Sequence, residues 1–424
     1  MMKQPPIITP SSVSLANAQK TILRNGVPLY RLSSDDFEVL RITFVFRAGS
    51  AVQTQFFTAS SVANLLAEGS LNRTARQLAE QLDYYGSWFD VTIDRDFAYI
   101  SFCMLSKFVD ETLDVASEIL LHPAFPEEEI ATYCAKRKQR LAIERQKVDS
   151  EARELFASSL FGATHPYGVV AHEQEYDRLT REALVAFYTK HYTAESTFVV
   201  CSGRVTDVEL RKVAALAEQL PHGENFAAQP FPEAVSTHRS FKLHEGAVQS
   251  SIRIGRLLFA RQHPDFTGMQ VVATALGGYF GSRLMQNLRA EHGYTYGVMA
   301  AMVTFERTGY FALATQVGQE VCREALHEIN HEIERLRQEL MSEEELELVK
   351  NMMIGEMMRI LDGPFGVADV TIENIMCGTD NTSIERQVEQ IRQITPQRVQ
   401  ALAQKYLNAE DLVSVVVGAE NPFE

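Results

Sequence analysis

The chain has 424 residues, a formal net charge of −15 at pH 7 and a hydrophobic share of 46%. This hydrophobic share argues against an intrinsically disordered protein. The excess of acidic side chains argues against a general nucleic-acid binder, which needs a basic face to neutralise phosphates, and against attachment to an anionic membrane surface.

The sequence also predicts where the protein resides. No apolar run approaches the ~18 residues of a membrane-spanning helix, and residues 1–10 lack the apolar core of a signal peptide. The chain has five cysteines, Cys103, Cys134, Cys201, Cys322 and Cys377. They are odd in number, widely spaced and form no CxxC pair, a pattern typical of a reducing compartment. We therefore expect a cytoplasmic protein without disulfides.

The first predicted elements belong to an α+β arrangement. From residue 39 to 47 apolar and polar side chains alternate, as in a strand with one buried face. The face expected to be buried carries Leu40, Ile42, Phe44 and Phe46. The opposite face carries Arg41, Thr43 and Arg47. Residues 97–105 predict a second strand, and helical spacing predicts helices at 110–121, 127–147 and 181–191.

Further along, a proline-containing stretch without clear periodicity separates two similar parts of the chain. Residues 221–240 contain three prolines and a glycine and are interpreted as a linker. After the linker, residues 310–317 predict a strand, and residues 323–340 and 343–361 predict helices.

The two parts repeat each other. Pro126-Glu-Glu-Glu-Ile and Ser342-Glu-Glu-Glu-Leu each follow a predicted helix, and a later helix–strand pair recurs at the same offset of about 215 residues. Such a long period indicates a duplicated domain rather than a repeat array. We predict a first half at 1–220, a linker at 221–240 and a second half at 241–424, each half with a sheet covered by helices.

One stretch matches a zinc motif. Residues 327–331 read His-Glu-Ile-Asn-His, and in HExxH two histidines one helical turn apart bind zinc while the glutamate acts as a base. In the predicted helix, however, His327 and His331 lie opposite the apolar stripe that contains Leu326, Ile329 and Ile333. A metal site needs a concave surround, so the match is interpreted as a charged outer face.

Two other stretches offer weaker signals. His165-Pro-Tyr-Gly168 and the nearby His172 are predicted to lie in a loop, where they are interpreted as packing and turn residues. Residues 277–281 are glycine-rich but lack the Lys-Ser/Thr that completes a phosphate-binding loop.

The segment from Gly281 to Gly297 is more informative. It predicts a short helix with an exposed Arg289 near its end, a glycine turn, and Tyr296 at the entrance to a strand. A guanidinium and a phenol held close together can donate hydrogen bonds to a peptide carbonyl or a developing oxyanion. From spacing alone, a helix-capping arginine beside a packed tyrosine is the simpler interpretation.

The sequence resembles the pitrilysin/insulinase metallopeptidases. Three features carry this resemblance: the duplicated halves, the segment Gly-Ser-Arg-Leu…Leu-Arg-x-x-x-Gly-x-x-Tyr and the His-Pro-Tyr-Gly loop. It is most similar to the short-chain branch that includes mitochondrial processing peptidase. The resemblance extends over roughly residues 20–420, and it implies two α+β sandwich halves that face each other as a clamshell.

In that family the catalytic first half carries an inverted zinc motif, HxxEH, with a distant glutamate as third ligand. The resemblance places this motif at Ser60, Ala63 and Asn64, because Gly69-Ser70 matches the glycine that follows it. The third ligand falls at residues 140–142, which contain no carboxylate. The resemblance therefore implies no zinc in this chain, since these side chains offer no ligand set and no general base.

The second half retains the family's Arg/Tyr pair as Arg289 and Tyr296, seven residues apart. In two-chain members of the family one subunit brings zinc and the other brings this pair in trans. The resemblance thus implies a non-catalytic subunit, a pseudoenzyme when alone, that forms a heterodimer with an HxxEH-bearing homologue and takes an unfolded peptide by strand addition.

Two alternatives stay open from the sequence. One is a non-enzymatic scaffold or peptide-binding protein of the same fold, and the other is a stand-alone zinc protease that uses His327 and His331. The loop at 277–281 is shorter than the glycine-rich loop of presequence-recognising subunits, which argues against presequence-like specificity. The sequence does not decide whether the chain forms a homodimer without its partner.

Overall fold

The computed structural model describes residue 13 and residues 15–34, 37–224 and 231–424. Part of the predicted linker, residues 225–230, lies outside the described residues. The linker ends two residues before its predicted end at residue 240, because the first strand of the second half already begins at Arg239.

The strands form two sheets. The first has the order β1-β2-β6-β3-β5-β4 and the second β7-β11-β8-β10-β9. Their bounds are β1 Gln19–Ile22, β2 Pro28–Ser33, β3 Val39–Phe46, β4 Trp88–Ile93, β5 Ala98–Leu105, β6 Thr197–Gly203, β7 Arg239–Leu243, β8 Gln249–Leu258, β9 Val298–Thr304, β10 Gly309–Gly318 and β11 Val413–Gly418.

The two sheets share one topology, apart from β1 at the edge of the first. In each, one parallel pair, β2 with β6 or β7 with β11, is followed by antiparallel neighbours. The pairing of β3 with β5 corresponds to that of β8 with β10. The two parts of the chain that repeat each other in sequence thus fold into sheets with the same strand pairing.

The helices cover both sheets. They are α1 Thr58–Leu65, α2 Ala75–Tyr84, α3 Val109–Leu121, α4 Glu127–Glu144, α5 Val148–Phe161, α6 Arg181–His191, α7 Asp207–Ala217, α8 Phe266–Ala273, α9 Cys322–Gln338, α10 Glu343–Ile360, α11 Gly363–Met376, α12 Thr382–Gln393 and α13 Pro396–Tyr406. The predicted helix at 127–147 is three residues too long, since the chain turns after Glu144 to start α5 at Val148.

Two helices are exchanged between the halves. Helix α5 belongs to the first half but packs on the second sheet, where Phe156 and Leu160 contact Val413 and Val415 of β11. Helix α11 belongs to the second half but packs on the first sheet. There Ala368 and Ile372 of α11 join Val45 of β3 and Val200 of β6 in one cluster.

This exchange corrects the expectation that β3 has one buried face. The predicted face is buried throughout, but on the other face Val45 is fully buried and Thr43 only 4% exposed. The reason is that α11 covers the side that the alternating pattern assigned to solvent. The described cysteines are all unpaired, and no helix in the described ranges is long and apolar enough to cross a membrane.

Candidate functional site

A cavity of about 510 Å³ lies between the halves. Alternate residues of β9 and β10 form one wall, because successive side chains of a strand point to opposite faces. This wall consists of Met299, Ala301, Val303, Tyr310, Ala312 and Ala314. The opposite side is formed by α5, the start of α1 and residues 167–171. The lining is mostly apolar, as in ligand-binding clefts.

The three degenerate zinc-motif positions lie on α1, and one of them faces this cavity. Ser60 lines it, and its hydroxyl donates a hydrogen bond to the carbonyl of Phe57 at 3.1 Å. The amide of Asn64 turns back along the helix and donates to the carbonyl of Ser60 at 2.7 Å. Ala63 is fully buried in the core. These positions are therefore occupied by groups that serve the helix itself.

The position of the third zinc ligand, residues 140–142, lies on α4. Leu141 lines the same cavity as Ser60, so the fold brings these two positions together. Arg140 instead forms an ion pair with Glu144 one turn along the helix, at 2.8 Å. A hydroxyl, an amide and an aliphatic side chain do not fit zinc, which takes imidazole, thiolate or carboxylate ligands. Across the described parts of the chain, no three His, Cys, Asp or Glu side chains are grouped to hold a metal.

The approach to α1 is conformationally unusual. Phe57, just before the helix, has φ of 64°, a left-handed value that is uncommon for residues other than glycine. Its ring stacks on Tyr176 with 4.0 Å between ring centroids. Tyr133 of α4 donates to the carbonyl of Ser60 at 3.4 Å, and burial raises the pKa of its phenol. Aromatic packing therefore holds this end of the cavity.

Arg289 and Tyr296 lie outside the cavity wall. Arg289 is exposed on a π-helical segment, Met285–Glu291, and its guanidinium lies over the ring of Phe280 at 4.7 Å. Tyr296 is 90% exposed and precedes β9 by two residues. Between them Gly293 has φ of 68°, which glycine adopts without strain.

The backbone that carries this pair is firmly anchored. The side-chain amide of Asn287 donates to the carboxylates of Glu328 and Glu332 on α9, at 2.9 and 3.1 Å. Thr295 donates to the carbonyl of Gln316 on β10 at 2.7 Å. The two exposed side chains thus project from a rigid base.

The HExxH match in α9 gives no metal site. His327 and His331 are both exposed, as the helical pattern predicts, whereas Glu328 is engaged by Asn287. In the other histidine loop, His165 is buried, and its Nδ1 accepts from the backbone of Tyr167 at 3.0 Å. These residues shape a turn, in agreement with their interpretation as packing residues.

Sequence reasoning singled out none of the charged residues that line the cavity, which are Arg95, Arg153, Glu154 and Arg253. Arg95 is the one of them that forms no ion pair with a described residue. It belongs to the turn between β4 and β5 and lines the cavity between the halves. No sequence signal distinguishes it, because Asp94-Arg-Asp-Phe97 has the composition of an ordinary surface turn. Only the approach of the second half makes the position partly buried.

Comparisons with known proteins agree with this architecture. The family model for insulinase, peptidase family M16, matches residues 41–167, and that for the peptidase M16 inactive domain matches residues 178–353. A crystal structure of a peptidase M16 inactive domain from Pseudomonas fluorescens superposes with a TM-score of 0.86 at 21% identity, covering 96% of this chain and 99% of that one. A protease structure from Helicobacter pylori gives a TM-score of 0.84 at 14% identity, covering 95% and 99%.

Among curated sequences, an uncharacterized zinc protease of Rickettsia bellii is 23% identical over 333 residues, 76% of this chain and 79% of that protein. The fold and the two matching halves define a duplicated α+β protein of the peptidase type. The chain belongs to the insulinase family, peptidase family M16.

Proposed function

We propose that this chain is the non-catalytic subunit of a two-chain zinc peptidase, in which Arg289 and Tyr296 contact substrate held at the zinc site of an HxxEH-bearing partner. The observation that carries the proposal is the contrast between the two predicted sites. The positions of the zinc set hold Ser60, Asn64 and Leu141, whereas the Arg/Tyr pair is exposed on an anchored backbone.

The chemistry of the pair fits this role. Among the described residues no carboxylate forms an ion pair with Arg289, so the guanidinium is available to a carbonyl oxygen from outside the chain. Its position over Phe280 limits its motion, which reduces the entropy lost when it binds. A phenol and a guanidinium donating to one oxygen stabilise the charge that develops on it when a peptide bond is attacked.

The adjoining strand offers a place for the peptide itself. β9 is the edge strand of the second sheet, so one side of its backbone has no partner strand within the described chain. Met299 on this strand is 63% exposed and also lines the cavity. We propose that an extended peptide adds to β9 as a further strand, which would lead its backbone past Tyr296.

The test combines metal analysis with peptide cleavage, using the chain alone and together with an HxxEH-bearing homologue. We expect less than stoichiometric zinc and no cleavage by the chain alone, and cleavage by the pair that exceeds that of the homologue alone. Stoichiometric zinc that is lost in His327→Ala would instead support a stand-alone zinc protease. No gain from adding the chain would refute the two-chain proposal.

The second candidate is a peptide-holding protein without catalysis. The observation that favours it is the largely apolar cavity between the halves, which needs no zinc to retain a peptide. It predicts that peptides bind to the chain but that their cleavage by any homologue is unaffected. The same assay therefore separates the two candidates.

A further inference from the structure

Arg95 occupies a fixed position at the cavity. The backbone N–H of Ala51 donates to its carbonyl at 2.7 Å. The carboxylate of Asp94 accepts from the N–H groups of Asp96 and Phe97, each at 2.7 Å, and so closes the turn. A Cβ at Gly49 would lie 2.4 Å from the carbonyl oxygen of Arg95, so the close contact between these segments requires glycine there.

The carboxylate next to Arg95 in sequence is committed elsewhere. Asp96 accepts from the phenol of Tyr167 at 2.5 Å through Oδ1 and from the N–H of Glu306 at 2.9 Å through Oδ2. Glu306 belongs to the turn between β9 and β10, and it forms an ion pair with Arg47. The turns of the two halves therefore satisfy each other's hydrogen bonds, and the Arg95 guanidinium donates none to these carboxylates.

The other charges of the cavity wall are paired. Arg153 and Arg253 share the carboxylate of Asp149, at 2.9 and 2.7 Å. Glu154 pairs with Arg145 at 3.2 Å, and that arginine belongs to a neighbouring loop.

Arg95, by contrast, forms no ion pair and no side-chain hydrogen bond with any described residue. Burial lowers the pKa of its guanidinium, and this effect outweighs the opposing attraction of Tyr310, Asp96 and Tyr167, so the charge is partly desolvated. Among the described residues, Arg95 is therefore the one charged side chain of the cavity wall that takes part in no ion pair.

A partly desolvated cation is stabilised most by an anion that brings charge-assisted hydrogen bonds. Most of the remaining wall of the cavity is apolar, with Phe57, Leu141, Val170 and Met299 among its members. A volume of about 510 Å³ accommodates a short stretch of peptide. We propose that Arg95 recognises a carboxylate of the bound peptide, either an acidic side chain or a free C-terminus, while flanking apolar residues contact the cavity wall.

This inference deepens the proposed function, since it assumes that the cavity receives peptide. The test measures binding of fluorescent peptides to the full chain by anisotropy. One pair of amidated apolar peptides differs by a central Glu or Gln, and a second pair lacks acidic residues and ends in a free acid or an amide. We expect the acidic member of at least one pair to bind about tenfold more tightly. The pair that shows the preference identifies the source of the carboxylate.

Arg95→Gln should abolish this preference and leave the affinity for neutral peptides unchanged. Arg95→Lys should retain part of it, which controls for folding, and Arg76→Gln should retain all of it because Arg76 is an exposed arginine of α2. A preference that survives in Arg95→Gln, equal binding of all four peptides, or no binding would overturn the inference. Because the assay needs neither partner nor cleavage, its outcome does not depend on whether the two-chain proposal holds.

Discussion

Arg41 on β3 donates a hydrogen bond to Asp369 on α11, with 2.5 Å between Nη2 and Oδ1. In the second sheet, Arg253 on β8 donates to Asp149 at the start of α5 at 2.7 Å. In each case the arginine of one sheet pairs with a helix contributed by the other half. Since Asp369 is 61% exposed, its ion pair contributes only about 0–1 kcal/mol to the free energy of unfolding. The apolar contacts that α5 and α11 make with the sheets contribute more to it.

The exchange of helices predicts that neither half folds alone. Fragments 1–224 and 231–424, expressed separately, should lack a cooperative thermal transition, because each leaves one sheet face uncovered. Co-expressed, they should associate into one complex with the circular dichroism spectrum of the full chain. A fragment that melts cooperatively by itself, or two separate transitions in the full chain, would contradict this prediction.

A single substitution at Leu160 tests the same interface. It is fully buried where α5 meets the second sheet, so Leu160→Ala should lower the free energy of unfolding by about 2–5 kcal/mol. Leu348→Ala is the matched control, because Leu348 is 58% exposed on α10, and its effect should stay within about 0.5 kcal/mol. Urea denaturation measures both values, and equal effects would refute the contribution of α5.

His191 predicts how stability depends on pH. Burial lowers its pKa from 6.5 to about 4, with a smaller contribution from Lys190, and its Nδ1 has no partner within the described chain. At pH values between about 4 and 6.5, the unfolded state binds more protons than the folded state. The stability that neutral His191 contributes is therefore present at neutral pH and is lost as the pH falls. The loss from this group between pH 7 and 5 should be about 2 kcal/mol.

His191→Gln should flatten the pH dependence of the free energy of unfolding over this range, although the variant itself is less stable. Burial also lowers the pKa of His165, so a smaller slope of the same sign should remain. The control His327→Gln changes an exposed histidine and should leave the wild-type slope. An unchanged slope in His191→Gln would show that this histidine is not held neutral in the fold.

The local elements were predictable because their periodicity records burial. The strand at β3 was predicted within one residue, and the bounds of α6 agree with the predicted 181–191. The exchange of α5 and α11 was not predictable. An apolar stripe indicates that one face of a helix is buried, but it does not indicate which sheet covers that face. For the same reason the second face of β3 was assigned to solvent.

At the candidate site, spacing alone did not single out Arg289 and Tyr296, and their role stays a prediction that comes from the family resemblance. The same resemblance pointed to Ser60 and to residues 140–142, and the fold brings Ser60 and Leu141 to one cavity. Arg95 was out of reach, because its environment depends on contacts with the turn at Glu306, more than 200 residues away in the chain.

We propose that Arg289 acts on substrate held by a partner chain. The most direct measurement is kcat for peptide cleavage by the reconstituted pair, with Arg289→Ala compared with Arg323→Ala, which changes an exposed arginine on α9. Loss of one donor to a developing oxyanion typically lowers kcat by about 10²–10³-fold, and this is the result we predict for Arg289→Ala, with Arg323→Ala unchanged. Equal kcat values for the wild type and Arg289→Ala would show that Arg289 does not act on the substrate.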